Sequence, residues 1–277
     1  MHLMLSKIKK IQSISIKKNE DVSEIKTSGL FKSIKINNKD HKYNLVIVCS
    51  GNNSHLVKNI FKDRFIKKTY NEESAVTIIK HNYLKNNIVR QIFLNNGILA
   101  FLPISNNKTS VVWSIKKNIY KNKDLLIKNK TKFYANKYYK KIIFQNNIEY
   151  KDLVYLIRNK YYQNRILLFG DALHVIHPFV GQGFNMTLRD LASLEKILFN
   201  KINLGLDIGS SDILSEFADE TKPRNFAYSL GINFIKDAFT LENEIIKEIR
   251  NNMFKSINKS SFIKNKFFNF ANEGLKF

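Results

Sequence analysis

Arg165-Ile166-Leu167-Leu168-Phe169-Gly170-Asp171-Ala172-Leu173-His174-Val175-Ile176-His177-Pro178-Phe179-Val180-Gly181-Gln182-Gly183-Phe184-Asn185-Met186 is the stretch from which the fold can be read. Ile166 to Phe169 is a short continuous apolar run closed by Gly-Asp, the pattern of a buried strand that ends at a ligand crevice. Asp171 to Gly183 is a compact loop with one proline and two glycines. From about Phe184 the periodicity turns helical, with Leu188, Leu191, Leu194, Ile197 and Leu198 recurring every three or four residues. Strand, glycine-bearing loop and helix N-terminus together aim backbone N–H groups at an anion or a polarised carbonyl. Glycines at 181 and 183 let the backbone approach a flat ligand with no Cβ in between. The arrangement is that of a cofactor site. An ordinary βα turn would account for neither Gln182 nor the two histidines.

The run Gly170-Asp171-Ala172-x-His174-x-x-x-Pro178-x-x-Gly181-Gln182-Gly183-x-Asn185 resembles the second flavin-binding motif of the aromatic-ring monooxygenases related to p-hydroxybenzoate hydroxylase. It is most similar to the ubiquinone-pathway hydroxylases. The resemblance implies FAD as cofactor, with Asp171 on the ribityl hydroxyls and Pro178 to Gly183 along the isoalloxazine. It also implies that the backbone N–H groups of Phe184 and Asn185 meet the pyrimidine carbonyl, which gives Asp171, Pro178, Gly181, Gln182, Gly183, Phe184 and Asn185 as flavin contacts. Reduced flavin carries negative charge near that carbonyl, and a helix N-terminus stabilises such charge by roughly 0.3–1 kcal/mol. The activity implied is hydroxylation of a small aromatic, lipophilic ring, a ubiquinone precursor, by dioxygen, with NAD(P)H or another donor supplying electrons. In such enzymes the cofactor carries the chemistry, so no side chain is assigned as nucleophile or catalytic base.

Upstream, Tyr43 to Val48 reads as a buried strand followed by Cys49-Ser50-Gly51-Asn52-Asn53-Ser54-His55. By its residues alone this is a polar turn. The resembled family has a strand here followed by an Asp-Gly motif, a downstream Ser and a basic residue. Gly51, Ser54 and Lys58 match it, while Ser50 stands where the family has Asp, a departure that bears on hydride delivery. Residues 74–116 are dense in strand signals: Ala75 to Ile79, Ile88 to Leu94, Ile98 to Pro103 and Ser110 to Ile115. Asn95-Asn96-Gly97 and Asn106-Asn107 separate them, which predicts an antiparallel meander. Gln91 to Pro103 is also similar to the ubiquinone-pathway hydroxylases, in which this sheet forms the substrate wall, and Phe93, Phe101, Pro103 and Trp113 are its candidate lining. Taken singly, each of these side chains reads as core before it reads as lining.

Elsewhere, residues 3–10 read as a helix fragment, Ile11 to Ile16 and Phe31 to Ile36 as strands, and residues 122–140 as a Lys- and Tyr-rich helix. Ile213 to Phe217, Phe226 to Phe239 and Leu241 to Ile249 read as helices, with Pro223 breaking the first from the second. Met253 to Phe277 is basic and aromatic and is expected to cap the domain or touch a membrane surface.

The resembled family opens with a βαβ unit carrying GxGxxG, which holds the ADP half of FAD. None of the ten glycines here forms that pattern. The chain therefore resembles an N-terminally truncated member. The expected fold is α/β (α+β): an incomplete FAD/NAD(P)-binding Rossmann-like domain lacking its first βαβ unit, an antiparallel substrate-side sheet, and C-terminal helices. The expected division is 1–60 and 151–205 for the FAD-binding parts, 61–150 for the sheet and 206–277 for the helical segment. Two readings follow: the flavin-facing part of a hydroxylase, or a non-catalytic remnant that needs a separate chain supplying the ADP-binding half.

Composition narrows the partners. The 277 residues include 44% apolar side chains, ample for a core, and a formal net charge of +23. Most of the 46 basic residues are lysines scattered along the chain rather than striped, so a nucleic-acid partner is not expected. Such charge does favour an anionic membrane surface, and other ubiquinone-pathway proteins are expected partners by the resemblance. The single cysteine, Cys49, cannot form an internal disulfide. No apolar run has the length of a membrane span, and Met1 to Lys7 lacks the apolar core of a signal peptide. The expectation is a cytoplasmic protein, at most peripheral to the inner membrane. His174 and His177, three apart, have no further ligand cluster behind them, so no metal is expected.

Overall fold

The computed structural model describes residues 2–52, 54–61, 65–94, 97–117, 122–178 and 181–240, together with 248, 252, 260–262 and 265. Nearly all of the expected helix at Leu241 to Ile249 and of the Met253 to Phe277 segment lies outside the described residues, as do Asn95 and Asn96 of the predicted turn.

The chain starts with a short helix α1 (His2–Ile8), then an antiparallel meander of β1 (Val22–Ser28), β2 (Phe31–Ile36) and β3 (Lys39–Tyr43). Asn37 and Asn38 join β2 to β3 with φ of 46° and 63°. Two left-handed residues in a two-residue loop match the strand twist, and asparagine tolerates that conformation better than other side chains do. Next come β4 (Val46–Val48) and α2 (His55–Ile60).

A large sheet follows, built from β5 (Phe65–Lys80), β6 (Arg90–Leu94), β7 (Gly97–Ser105), β8 (Lys108–Lys116), β9 (Ile143–Phe144), β10 (Glu149–Arg158) and β13 (His174–Val175). Its order is β13-β10-β5-β8-β7-β6, all antiparallel, with β9 also on β5. Helix α3 (Lys123–Ala135) covers one face. There Ala75, Ile79, Leu99, Phe101, Val111, Trp113 and Ile115 pack with Ile127 and Ala135. Ile98, Tyr155 and Ile157 point to the other face and meet Ile176, Met186, Tyr228 and Ile232.

The last unit is a small sheet of β11 (Tyr162–Gln163), β12 (Ile166–Leu168) and β4, with β12 and β4 parallel. Ile166, Leu167 and Leu168 are all buried, as a strand covered on both faces requires. Helices α4 (Gly183–Asn203) and α5 (Ser211–Thr240) cover it through Leu194, Ile197, Leu214 and Phe217. Strand β4 lies at the end of this sheet's order, with Ile47 41% exposed.

Three expectations need correction. Residues 11–16 form neither helix nor strand, and Ile11, Ile14 and Ile16 are exposed: alternation makes a strand only where a neighbour accepts its ladder. Tyr43 to Val48 is not one strand, since β3 ends at Tyr43 and β4 begins at Val46. Pro223 does not break α5, which runs unbroken from Ser211 to Thr240. The turn lost to proline is offset by burial on both sides of it, at Leu214, Phe217, Tyr228 and Ile232. Strand β10, to which the sequence reading assigns no element, is the central partner of both β5 and β13.

Gly97 opens β7 with φ of 137°, and a Cβ there would sit 1.7 Å from the Ser114 carbonyl oxygen on β8. Gly97→Ala is therefore expected to destabilise the fold by about 2–4 kcal/mol, through strain and a forced shift between β7 and β8. A lower denaturant midpoint at unchanged slope is the measurement; an unchanged midpoint contradicts the packing described here.

Candidate functional site

Because β4 and β12 run parallel, the loops leaving both strands emerge at the same carboxyl edge, where open α/β sheets hold their ligands. Phe169 donates its N–H to the Val48 carbonyl at 3.0 Å, so the Ser50-Gly51 turn and the Gly170-Asp171 turn start side by side. Gly170 takes φ of 61° and opens a single 3-10 turn, Gly170–Ala172. The chain then adds β13 to the large sheet, with Ile157 opposite His174 and Leu156 opposite Val175. Gly181 (φ 67°) makes the last bend before α4, and the Gly181 N–H reaches the Pro178 carbonyl at 3.2 Å.

The exposure pattern of this loop separates scaffold from lip. Ala172, Leu173, His174, Ile176, His177 and Met186 are buried, whereas Asp171, Pro178, Gly181 and Phe184 are exposed. Gln182, Gly183 and Asn185 are half-buried. The expected cofactor contacts are thus all at least partly accessible, while the residues that fix the loop are buried.

That fixing comes from hydrogen bonds to distant elements. His174 Nε2 lies 2.7 Å from Asp190 Oδ2 on α4, and both side chains are almost fully buried. Asn225 of α5 donates to both Asp190 oxygens at 3.0 Å, and the Arg224 guanidinium lies 3.6 Å from Asp190. His177 Nε2 lies 2.8 Å from Glu72 Oε2 on β5, whose other oxygen takes Lys236 of α5 at 2.8 Å. Gln182 Oε1 accepts from Asn185 Nδ2 at 3.0 Å and from the Tyr228 hydroxyl at 2.8 Å. Asn225, Tyr228, Ile232 and Lys236 recur at helical spacing, so a single face of α5 supports the loop along its length. Tyr70 stands edge-on to His177 with ring centres 4.7 Å apart, under the Lys236 ammonium at 4.0 Å, and donates to Asn233 at 2.6 Å.

Asp190, Glu72, Lys236, Asn225 and Tyr228 are absent from the expected site residues. The signals were polar side chains interrupting the apolar face of α5 and two adjacent glutamates within a strand.

The substrate-side residues divide by face. Phe101 and Trp113 are 0% and 1% exposed and fill the core against α3, behind the sheet as seen from the loop. Pro103 is two residues on from Phe101 and pairs with Thr109, which puts it on that same α3 side. The alternation of β7, and of β8 for Trp113, therefore removes all three from a wall facing the loop. Phe93 pairs with Ile98, a member of the cluster touching Ile176 and Met186, so it shares the loop-side face, 44% exposed. Behind the Gly170 turn, Arg158 Nε donates to the Ala172 carbonyl at 2.7 Å. Beside it lies a cavity of about 510 Å³, lined by Phe65, Ile66, Ile157, Pro223 and Phe226 together with Arg158, Asn159 and Lys222.

The protein's own residues suit a flavin. Helix α4 opens with the N–H groups of Gly183, Phe184 and Asn185, which have no acceptor one turn earlier within the helix. A Cβ at Gly181 would meet nothing within 4 Å, so that bend faces open space. Donors at a helix end and an exposed carboxylate at Asp171 match a ring that becomes anionic beside a hydroxyl-rich chain.

A family model described as FAD binding domain matches residues 42–225, which includes both parallel strands and the whole loop. The chain is 26% identical to a mitochondrial ubiquinone biosynthesis monooxygenase COQ6 of Dictyostelium discoideum, over 95% of this chain and 64% of that one. It is 30% identical to the ubiquinone hydroxylase UbiL of Rhodospirillum rubrum, over 56% of this chain and 37% of that one. The chain thus spans less than two thirds of either relative. Among solved structures, p-nitrophenol 4-monooxygenase PnpA from Pseudomonas putida superposes with a TM-score of 0.78 at 14% identity, covering 98% of this chain and 72% of that one; this likeness shows the fold.

Burial by itself would raise the Glu72 carboxyl, but the hydrogen bonds from His177 and Lys236 hold it below its usual 4.5. Burial, with the Lys236 charge adding to it, holds His177 below its usual 6.5 despite Glu72. Both shifts describe a neutral imidazole donating to a carboxylate. The His177 contribution to stability is whole above pH 6.5 and is lost as pH falls through its lowered folded value; that of Glu72 is whole above pH 4.5 and is lost below it. Unfolding free energy is expected to decline on acidification from pH 6.5, and His177→Gln, which keeps a donor without titrating, is expected to flatten the upper part of that decline. Parallel pH profiles for the two proteins would contradict the assignment.

Proposed function

The chain belongs to the FAD-binding-domain family, and from that membership we propose that it serves as the flavin-facing part of an aromatic hydroxylase. The observation that carries the proposal is the fixed loop between β12 and α4, with its accessible edge at the helix N-terminus. FAD, when bound, would supply the redox chemistry, passing electrons from NAD(P)H or another donor to dioxygen so that one oxygen atom enters the ring.

Each residue of the site then has a task. The N–H groups of Gly183, Phe184 and Asn185 stabilise negative charge placed at the helix end. Asp171 accepts hydrogen bonds from hydroxyls of the ligand. Gly181 lets the backbone lie flat against a ring. Gln182, held by Tyr228 and Asn185, fixes the bend, and Ile176 and Met186 form a dry floor beneath it.

The substrate class we infer is a small lipophilic phenolic ring, a ubiquinone precursor. The names of the two relatives support that choice, as does the apolar cavity behind the Gly170 turn, whose size suits a small molecule. Phe93 is the aromatic side chain of the expected wall that shares the loop-side face. The net charge of +23 supports a place at an anionic membrane surface, on the cytoplasmic side of an inner membrane, where such rings partition.

Titration of the purified protein with FAD, followed by visible absorbance and flavin fluorescence, tests the proposal. Saturable binding is expected, and Asp171→Ala, an exposed substitution that spares the core, is expected to weaken it about tenfold or more. A protein that never takes up flavin refutes the proposed function, and an Asp171→Ala variant that binds as the parent does refutes the role of that carboxylate.

A further inference from the structure

Strand β5 gives up its regular ladder at one place. Asp152 pairs with Glu73, but Val154 pairs with Thr69, so Tyr70, Asn71 and Glu72 bulge out opposite Leu153. Asn71 takes φ of 53°, a conformation that costs a non-glycine residue energy. The ladder with β8 stays regular through this point, with Glu72 opposite Lys116, so ordinary alternation puts Glu72 on the cofactor-loop side of the sheet, while Glu73 pairs with Lys123 on the side covered by α3. The Glu72 side chain is 13% exposed, and its two oxygens grip two separate elements, the loop through His177 and α5 through Lys236.

We propose that Glu72 is a positioning residue of the cofactor loop: through His177, and braced by Lys236, it fixes the direction in which the chain enters the loop's last turn at Pro178 before any ligand arrives. The proposal rests on the flavin reading of that turn. Burying a carboxylate and an ammonium costs desolvation energy, and for those two groups alone an apolar pair of similar size serves stability as well or better. What an apolar pair cannot do is hold an imidazole in one tautomer and one orientation. His177 directly precedes Pro178, so fixing its ring fixes the direction in which the chain enters the turn. The Glu72 oxygen accepts from Nε2–H, and the Tyr70 ring closes the side of the imidazole. Tyr70 and Tyr155 from the sheet, and Lys236 and Asp237 from α5, are the titratable groups facing this point. A loop held in its bound shape spares the ligand the ordering cost.

The test compares the parent with Glu72→Gln, which keeps an acceptor oxygen for His177, and with the paired substitution Glu72→Leu and Lys236→Met, which removes both charges and keeps the volume. Three measurements are made on the full chain: unfolding free energy, FAD affinity by fluorescence, and amide hydrogen exchange over residues 174–186 without FAD. The apolar pair leaves the buried His177 Nε2–H without its acceptor, so it is expected to be less stable than the parent, to gain more exchange in the loop than in the sheet, and to bind FAD about tenfold more weakly. Glu72→Gln is expected to restore loop protection and most of the affinity. Loop exchange in the apolar pair equal to that of the parent overturns the proposal. Should the parent itself bind no FAD, the proposed function falls, while the exchange comparison still decides whether Glu72 positions the loop.

Discussion

Two imidazole–carboxylate contacts hold the part of this protein on which everything else depends. A loop with glycine at 170, 181 and 183 has little backbone preference of its own, and the exposed residues on its lip contribute almost no packing. Its shape comes from His174 on Asp190 and His177 on Glu72, each pair withdrawn from water. In a low-dielectric setting such bonds are strong when satisfied and costly when broken, so they select one conformation rather than many. The two carboxylates belong to different bodies, one to the helix that follows the loop and one to the large sheet. The loop is therefore tied to both sides of the crevice that it lines.

Helix α5 is the strut that makes this possible. It reaches Asp190 through Asn225 and Arg224, Gln182 through Tyr228, and Glu72 through Lys236. A shorter helix would serve one of these points and leave the others to solvent. That explains why the element continues through Pro223, where local preference alone would end it. The energy of burying Phe217, Tyr228 and Ile232 along one face exceeds the cost of a single missing backbone bond.

How much of this could be read from the chain follows from the range of the interactions. The β12 strand, the glycine loop and the start of α4 were legible because strand, turn and helix signals there are local and consecutive. The antiparallel run of β6, β7 and β8 was legible too, from alternation and asparagine-rich turns, but β5 pairs with β8 rather than with β6, so the expected meander holds for three of its four strands. The parallel pairing of β4 with β12 joins residues more than a hundred positions apart and leaves no mark on either strand. Glu72, Asp190 and Lys236 left only the weak signals of a polar residue on an apolar face or in a strand, since a buried acid looks like any surface acid until its partner is known. The assignment of Phe101, Pro103 and Trp113 to a ligand wall failed on a different point: alternation says that residues share a face, not which face looks at the ligand. A strand at Ile11 to Ile16 was expected from alternation that has no neighbouring strand to pair with.

The charge balance of the chain sharpens the meaning of its few buried acids. With 46 basic residues against 23 acidic ones, a lysine or arginine is within reach of almost any point on the surface, and surface pairs of this kind contribute little. Exposed pairs such as Lys26–Glu24 and Lys117–Asp152 fit that background. Asp190 and Glu72 do not: Asp190 takes the His174 imidazole as its nearest partner and leaves Arg224 at 3.6 Å, while Glu72 divides its two oxygens between His177 and Lys236, each at 2.8 Å. A histidine carries no charge that must be matched when neutral, and it presents a directed N–H rather than a diffuse ammonium. In a protein so rich in lysine, two histidines three residues apart, both aimed at buried acids, are what orientation requires and what simple charge neutralisation would not produce.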